Sequence, residues 1–183
     1  YPVFFQAGNS DVGREFAAKY AEVIYAAAQT TEEAQAYYRD VKGRMARYGR
    51  EPEHLIVTPG LFYHLGQSRQ EAQEKYESFR DAVDLPNWRD RFTGFFDIAP
   101  EHLVHLSLDD KLPADLPEPK NNVGRFSQAR AMALRENLSI RDLILRFQVV
   151  QGHRILVGTA TDIADQIEDW FLNGAADGFN LKP

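Results

Sequence analysis

The chain has 183 residues, a formal net charge of -6 and no cysteine. That length is enough for one domain with a sizeable core. The acidic balance, without a long basic run, argues against nucleic acid or an anionic membrane as main partner; the missing cysteines exclude disulfides, thiolate catalysis and cysteine-ligated metals.

The first element is a short apolar strand, Phe4-Phe5-Gln6, which breaks at the small-residue turn Ala7-Gly8-Asn9-Ser10 and enters a helix. A helix start of this kind presents unpaired backbone N–H groups and partial positive charge, so it can hold a phosphate without a lysine. The same serine is also an ordinary N-cap residue, and spacing alone does not separate the two roles. Val12, Phe16 and Tyr20 share one helical face, which predicts about three turns. Arg14, in the first turn after Ser10, can pair with a phosphate or with a nearby carboxylate.

Residues 21–27 form a short apolar run of strand length. Thr30 with Glu33 makes a capping-box pattern, and Ala34, Tyr38, Val41, Met45 and Tyr48 follow at helical spacing up to a C-terminal stop at Gly49. His54-Leu55-Ile56-Val57-Thr58-Pro59 reads as the next buried strand. Strand, helix, strand, helix, strand with short connections predicts βα units and a parallel sheet, whose strands read as continuous apolar runs.

From Gly60 the rhythm changes. Ser68 and Glu71 open another helix, with Ala72, Tyr76, Phe79 and Val83 on one face and Leu85-Pro86 at its end. A long irregular excursion follows, carrying Trp88, Phe92, Phe95 and Phe96; such a cluster lines an apolar pocket or, more often, forms a satellite core under a long loop. Residues 112–122 are too proline-dense for helix or central strand. Two helices are expected next, over about 127–136 and from a cap at Ser139 with Asp142 to about Val150. Val157-Gly158-Thr159 then leads a helix with Ile163, Ile167, Trp170 and Phe171 inward, closed by Asn173-Gly174, and residues 177–181 are the last strand.

This gives four strands, with nearly a hundred residues, 61–156, inserted within the single segment 1–183. Loops after strands of a (β/α)8 barrel lie at the C-terminal face, where a long insertion serves as a lid or specificity element. The chain opens in a strand at Tyr1 and stops just after one at Pro183, so a piece of something longer is expected. A half barrel has two open sheet edges, so a homo-oligomer is expected. No signal peptide and no long apolar run appear, which points to a cytoplasmic setting.

Two stretches resemble the bacterial luciferase-like flavin monooxygenases, in the branch of the nitrilotriacetate, dibenzothiophene-sulfone and long-chain alkane enzymes. One is Gln6-Ala7-Gly8-Asn9-Ser10-Asp11-Val12-Gly13-Arg14-Glu15-Phe16. The other runs from Val157-Gly158-Thr159 through Ile163–Phe171 to Gly174-Ala175-Ala176-Asp177-Gly178-Phe179-Asn180-Leu181. The middle of the chain is only loosely similar. The resemblance implies an α/β fold of TIM-barrel type, of which this is about the C-terminal half with a long, mostly helical insertion. It further implies reduced FMN supplied by a separate NAD(P)H:flavin reductase, and O2 used to oxygenate a small organic substrate. Ser10 matches the serine that contacts the FMN phosphate, with Gly8 and Asn9 beside it. The other flavin contacts belong to the first half of the barrel, so no catalytic residue is named. A non-catalytic flavin- or phosphate-binding fragment, or another phosphate-binding barrel enzyme such as a deazaflavin-dependent reductase or an aldolase, is the alternative.

The remaining candidates are weaker. His102 and His105 with Asp109 and Asp110 do not require the convergence of three or four ligands that a metal demands, so no metal is expected. His54, His64 and His153 read as structural or solvated, with His64 alone placed to face a pocket. Arg125 is a candidate lid arginine for an anion, or a solvated one.

Overall fold

The computed structural model describes residues 2–82, 87–120 and 123–182, without the side chains of 123–125, 128 and 148. Val83, Leu85-Pro86 and Asn121-Asn122 therefore lie outside the described residues, as does the side chain of Arg125. The chain divides into two compact units, residues 1–77 with 152–183 and residues 78–151.

The first unit is a parallel sheet with helices. Its strands are β1 (Phe5–Ala7), β2 (Val23–Ala26), β3 (Ile56–Leu65), β4 (Arg154–Gly158) and β5 (Asn180–Lys182). They are ordered β1-β2-β3-β4, with β5 also paired to β3. In register, Ala7 lies beside Tyr25 and Tyr25 beside Thr58. Both β4 and β5 pair with Leu61 and Phe62, so they flank β3 on opposite sides.

The sequence reading had four strands; the structure has five. Arg154–Gly158 is a strand, so the helix after it follows β4 rather than β3, and β3 runs six residues past Pro59. Arg154-Ile155-Leu156-Val157-Gly158 is short and led by an arginine, which hid its strand character.

Helices α1 (Asp11–Tyr20) and α2 (Thr31–Met45) cover one sheet face. Ala17, Ala18, Ile24, Ala26, Tyr37, Val41, Met45, Leu55 and Val57 form that core, each nearly or fully buried. The predicted stripe of Val12, Phe16 and Tyr20 has helical spacing but faces outward, 79, 51 and 49 % exposed. The small face, Gly13, Ala17 and Ala18, packs on the sheet because it lets the helix approach closely. Thr30 caps α2 by accepting from the Glu33 amide (3.2 Å), and the Glu33 carboxylate accepts from the Gln29 amide (3.0 Å). Gly49 ends the following 3-10 turn at φ 64°, a left-handed conformation that glycine adopts without cost.

Below the sheet core, Asp177 ties β5 to β3. Its carboxylate accepts from the Val57 amide (2.8 Å) and the Tyr38 hydroxyl (2.7 Å), and it pairs with the buried Lys42 ammonium (2.9 Å). Lys42 also donates to the carbonyls of Pro52 and Leu55. Burial, with the Asp177 carboxylate second, pushes the Tyr38 hydroxyl up to about 12.

Helix α3 (Arg69–Ala82) starts in the first unit, where the Ser68 hydroxyl accepts from the Glu71 amide (3.1 Å). The second unit is helical. Residues expected as an irregular excursion form α4 (Trp88–Phe96), with Trp88, Phe92 and Phe96 buried on one face. They recur every fourth residue, a helical spacing masked by the Gly94 and Asp90 between them. α5 (Val123–Glu136) and α6 (Ile140–Ile144) follow, and α6 runs into one turn of π-helix, Leu145–Val149. The aromatic cluster packs with Ile98, Leu103, Phe126, Met132, Leu143 and Ile144 into a core of its own. α7 (Ala160–Leu172) returns to the first unit, capped by Thr159 and Asp162. Trp170 is buried against Ala28 and Ala34 as expected, but Phe171 is 56 % exposed and does not point inward.

Candidate functional site

The Gly8-Asn9-Ser10 turn lies at the C-terminal end of β1, directly before α1. Ser10 has extended backbone (φ -68°, ψ 156°), and its Oγ accepts from the Gly13 amide at 3.1 Å. The first intrahelical bond is from Arg14 N to Ser10 O. The amides of Asp11 and Val12 therefore have no intrahelical acceptor and point out of the helix start. Ser10 is exposed, so its hydroxyl hydrogen is available to a ligand while its oxygen still caps the helix.

The turn is held from three sides. Asn9 bonds the backbone of Ala27 at both ends of its amide, Nδ2 to Ala27 O (2.6 Å) and Ala27 N to Oδ1 (3.2 Å). This locks the turn to the C-terminal end of β2. Gly8 O accepts from the Tyr37 hydroxyl (3.1 Å), whose own proton burial holds up to about 12. Arg14 donates from Nε to Asn9 O (3.0 Å) and pairs with Asp40 (2.8 Å), lying over the Tyr37 ring. Of its two predicted partners, the carboxylate is the one in contact, and it is Asp40 of α2. A β-carbon on Gly13 would sit 3.1 Å from Ser10 Oγ, so glycine there keeps the hydroxyl in place.

Asp11 could oppose an anion at this helix start. Its carboxylate is drawn instead to Arg44 (2.6 Å), which also holds Glu15 (3.0 Å) and Asp40 (2.8 Å). Arg44, then Arg14, hold the Asp40 carboxyl below its usual range. The Tyr48 hydroxyl, foremost, does the same to Glu15. The acidic residues of this surface are thus paired among the two helices, which leaves the turn with neutral donors facing outward.

The histidines separate. His54 ends a 3-10 turn before β3 rather than starting a strand. His64 lies within β3, its ring 5.4 Å from Tyr76, and burial lowers its pKa. His153 is not a loop histidine in solvent: it is 4 % exposed and bonded through Nε2 to the Tyr25 hydroxyl (2.5 Å). Burial first, then Lys182, push it down to about 4, so it is neutral. Nothing in the sequence marked that pair, because its members are 128 residues apart. His102 ends a 3-10 turn of the second unit, and among the described residues no three histidine or acidic side chains converge as metal ligands.

The family model for luciferase-like monooxygenases matches residues 1–177. Nitrilotriacetate monooxygenase component A of Aminobacter aminovorans is 43 % identical over all of this chain and 40 % of its own length. N-acetyl-S-(2-succino)cysteine monooxygenase of Bacillus subtilis (strain 168) is 36 % identical over all of this chain and 41 % of its own. The solved structure of an EDTA monooxygenase from Chelativorans sp. BNC1 superposes with TM-score 0.64 at 27 % identity, over 98 % of this chain and 41 % of that one. The chain spans about two fifths of the relatives it matches, and its βα units are those of their barrel. No helix among the described residues is long and apolar enough to cross a membrane. The chain belongs to the luciferase-like monooxygenase family.

Proposed function

We propose that this chain is the C-terminal part of an FMN-dependent monooxygenase and that its Gly8-Asn9-Ser10 turn holds the FMN phosphate. The observation that carries this reading is the turn itself: an outward hydroxyl and two amides without intrahelical acceptors, at the C-terminal end of a parallel strand in a chain of this family. Ser10 donates to a phosphate oxygen and the Asp11 and Val12 amides add two further donors, helped by the α1 dipole. Asn9, beside Ser10, fixes the turn against Ala27 with its side-chain amide.

When bound, reduced FMN supplies the chemistry that activates O2 toward the substrate, and the protein binds, orients and excludes water. Electrons come from a separate NAD(P)H:flavin reductase, in a cytoplasmic setting, and the barrel works as a homo-oligomer. Of the insertion 61–156, residues 61–65 and 154–156 are strands of the sheet, so the lid role falls to residues 78–151. The test is a titration of the intact protein with FMN, followed by flavin fluorescence, and then turnover of reduced FMN and O2 with candidate organic acids. Binding without turnover on any of them supports the flavin-binding fragment instead, and no FMN binding refutes both.

A further inference from the structure

On the sheet face turned away from α1 and α2, a second polar cluster has no part in the phosphate turn. Ile24, Ala26 and Val57 point into the helix-covered core, so their strand neighbours Tyr25 and Thr58, and Gly60 after them, face the other way. His153 sits on this face against Tyr25 and Phe62, with ring centroids 4.9 and 6.4 Å away. Gly60 makes room for the pair. A β-carbon there would lie 2.7 Å from both His153 Nδ1 and Tyr25 Oη. Lys182, at the C-terminal end of β5, places its ammonium 5.4 Å from the Tyr25 ring and 5.5 Å from the Phe62 ring.

The protons of this cluster can be assigned. His153 Nδ1 is buried without a hydrogen-bond partner among the described residues and faces the Gly60 α-carbon. A proton there would be a buried donor aimed at carbon, so the imidazole proton is assigned to Nε2, where Tyr25 Oη accepts it. The tyrosine hydroxyl hydrogen is then free to point elsewhere. Half-buried beside it is the Lys182 ammonium, which no carboxylate pairs among the described residues. One cation lies against the ring whose hydroxyl is the other donor, and the histidine bonded to that hydroxyl is neutral.

We propose that Lys182 and Tyr25, with His153 as positioning residue, form an anion subsite that takes a carboxylate of the substrate at the C-terminal ends of β2 and β5, beside the middle of β3. This rests on reading the chain as part of a flavin-dependent monooxygenase, because that reading makes this face the substrate side of the sheet. Two donors suit the two oxygens of a carboxylate, and the ammonium supplies charge that the neutral donors of the Ser10 turn do not. The subsite thereby selects organic acids over neutral sulfides, sulfones or alkanes.

The test is calorimetric titration of the intact protein, saturated with FMN, with iminodiacetate and with its neutral dimethyl ester. The wild type is expected to bind the acid and not the ester, without displacing FMN. Loss of a charge-assisted hydrogen bond predicts about tenfold or weaker binding for Lys182→Met, about fivefold for Tyr25→Phe, and affinity within about threefold of wild type for Lys182→Arg. His153→Leu is expected to weaken binding in the wild-type background and to add nothing in Tyr25→Phe; equal losses in both overturn its positioning role. FMN affinity, measured by fluorescence on each variant, is expected to stay unchanged and shows that the variants fold. Wild-type affinity in both Lys182→Met and Tyr25→Phe, equal binding of acid and ester, or displacement of FMN by the acid overturns the subsite. So does a wild type that takes FMN but no acid. A wild type that takes no FMN overturns the flavin reading instead.

Discussion

Ser10 has two physical roles that substitutions can pull apart. Its oxygen accepts from the Gly13 amide at 3.1 Å, and in the proposed site its hydrogen is donated to a phosphate. Ser10→Ala removes both, so it is expected to lose about 1 kcal/mol of stability with the cap and about 1.5–3 kcal/mol of FMN binding, roughly 10- to 150-fold in Kd. Ser10→Asp separates them. Aspartate is as good a cap as serine and suits the positive end of the helix, so stability is expected within about 0.5 kcal/mol of wild type. Its carboxylate has no hydrogen to donate and faces a phosphate of like charge, so FMN affinity is expected to fall more than about 100-fold. Ser10 is exposed, and the larger side chain meets no wall. The assay pairs FMN fluorescence titration with urea unfolding followed by tryptophan emission. If Ser10→Asp binds FMN within about twofold of wild type, Ser10 is a cap alone and the phosphate assignment fails.

Three further outcomes follow from the packing. Lys42→Met removes the counter-ion of Asp177 and the donor to two carbonyls, so a loss of about 2–4 kcal/mol is expected; Asp177 keeps the Tyr38 and Val57 hydrogen bonds, which holds the loss below that of a bare buried charge. Restoring wild-type stability to within about 1 kcal/mol in Lys42→Met would show that the pair only replaces well-packed apolar contacts. His153 binds its proton more weakly folded (about 4) than unfolded, so the unfolded chain takes up protons first and stability falls as pH drops from about 6.5 toward 4; up to about 3 kcal/mol is at stake, read as urea midpoints at pH 7 and 5, and His153→Leu is expected to flatten that slope. Phe92→Ala empties a fully buried site between Trp88 and Phe96, and a loss of about 3–5 kcal/mol is expected in unfolding of residues 78–151, checked by amide hydrogen exchange.

Local signals were readable in the sequence where one residue or one turn decides the structure. Thr30, Ser68 and Ser139 cap helices as their spacing predicts, and Gly49 and Gly174 close turns with positive φ. The burial of each helix face was less legible. Val12-Phe16-Tyr20 has the period of a core stripe, yet alanines and glycine pack on the sheet, because close approach of helix and strand decides burial, not side-chain size alone. The strand at Arg154–Gly158 went unread because it is short and begins with a charge, and α4 because glycine and aspartate interrupt its aromatic period. The turn at Ser10 was readable since its parts are contiguous. Tyr25, His153 and Lys182 were not, since only the pairing of β2, β3 and β5 brings them together.

The two proposed anion sites sit toward one end of one sheet but would use different physics. Ala7 is in register with Tyr25, and Asn9, two residues on, is bonded to Ala27, two residues past Tyr25. Gly60 is in register with Asn180, and Lys182 follows two residues later. Strands in parallel register carry their C-terminal ends toward the same rim, where the turn after β1 and the ammonium of β5 are separated by β2 and β3. At the turn the nearby charges are paired with one another: Asp11, Glu15 and Asp40 with Arg44, Asp40 also with Arg14, and Glu15 also with Arg47. A flavin phosphate there is recognised by direction, through donors that a free carboxylate of other shape does not match. At Lys182 no carboxylate pairs the charge among the described residues, and in the proposed subsite recognition is by sign. Separating directional from charge-based recognition keeps a substrate acid from competing for the cofactor's phosphate site, and it is the pairing of α1 with α2 that makes the separation.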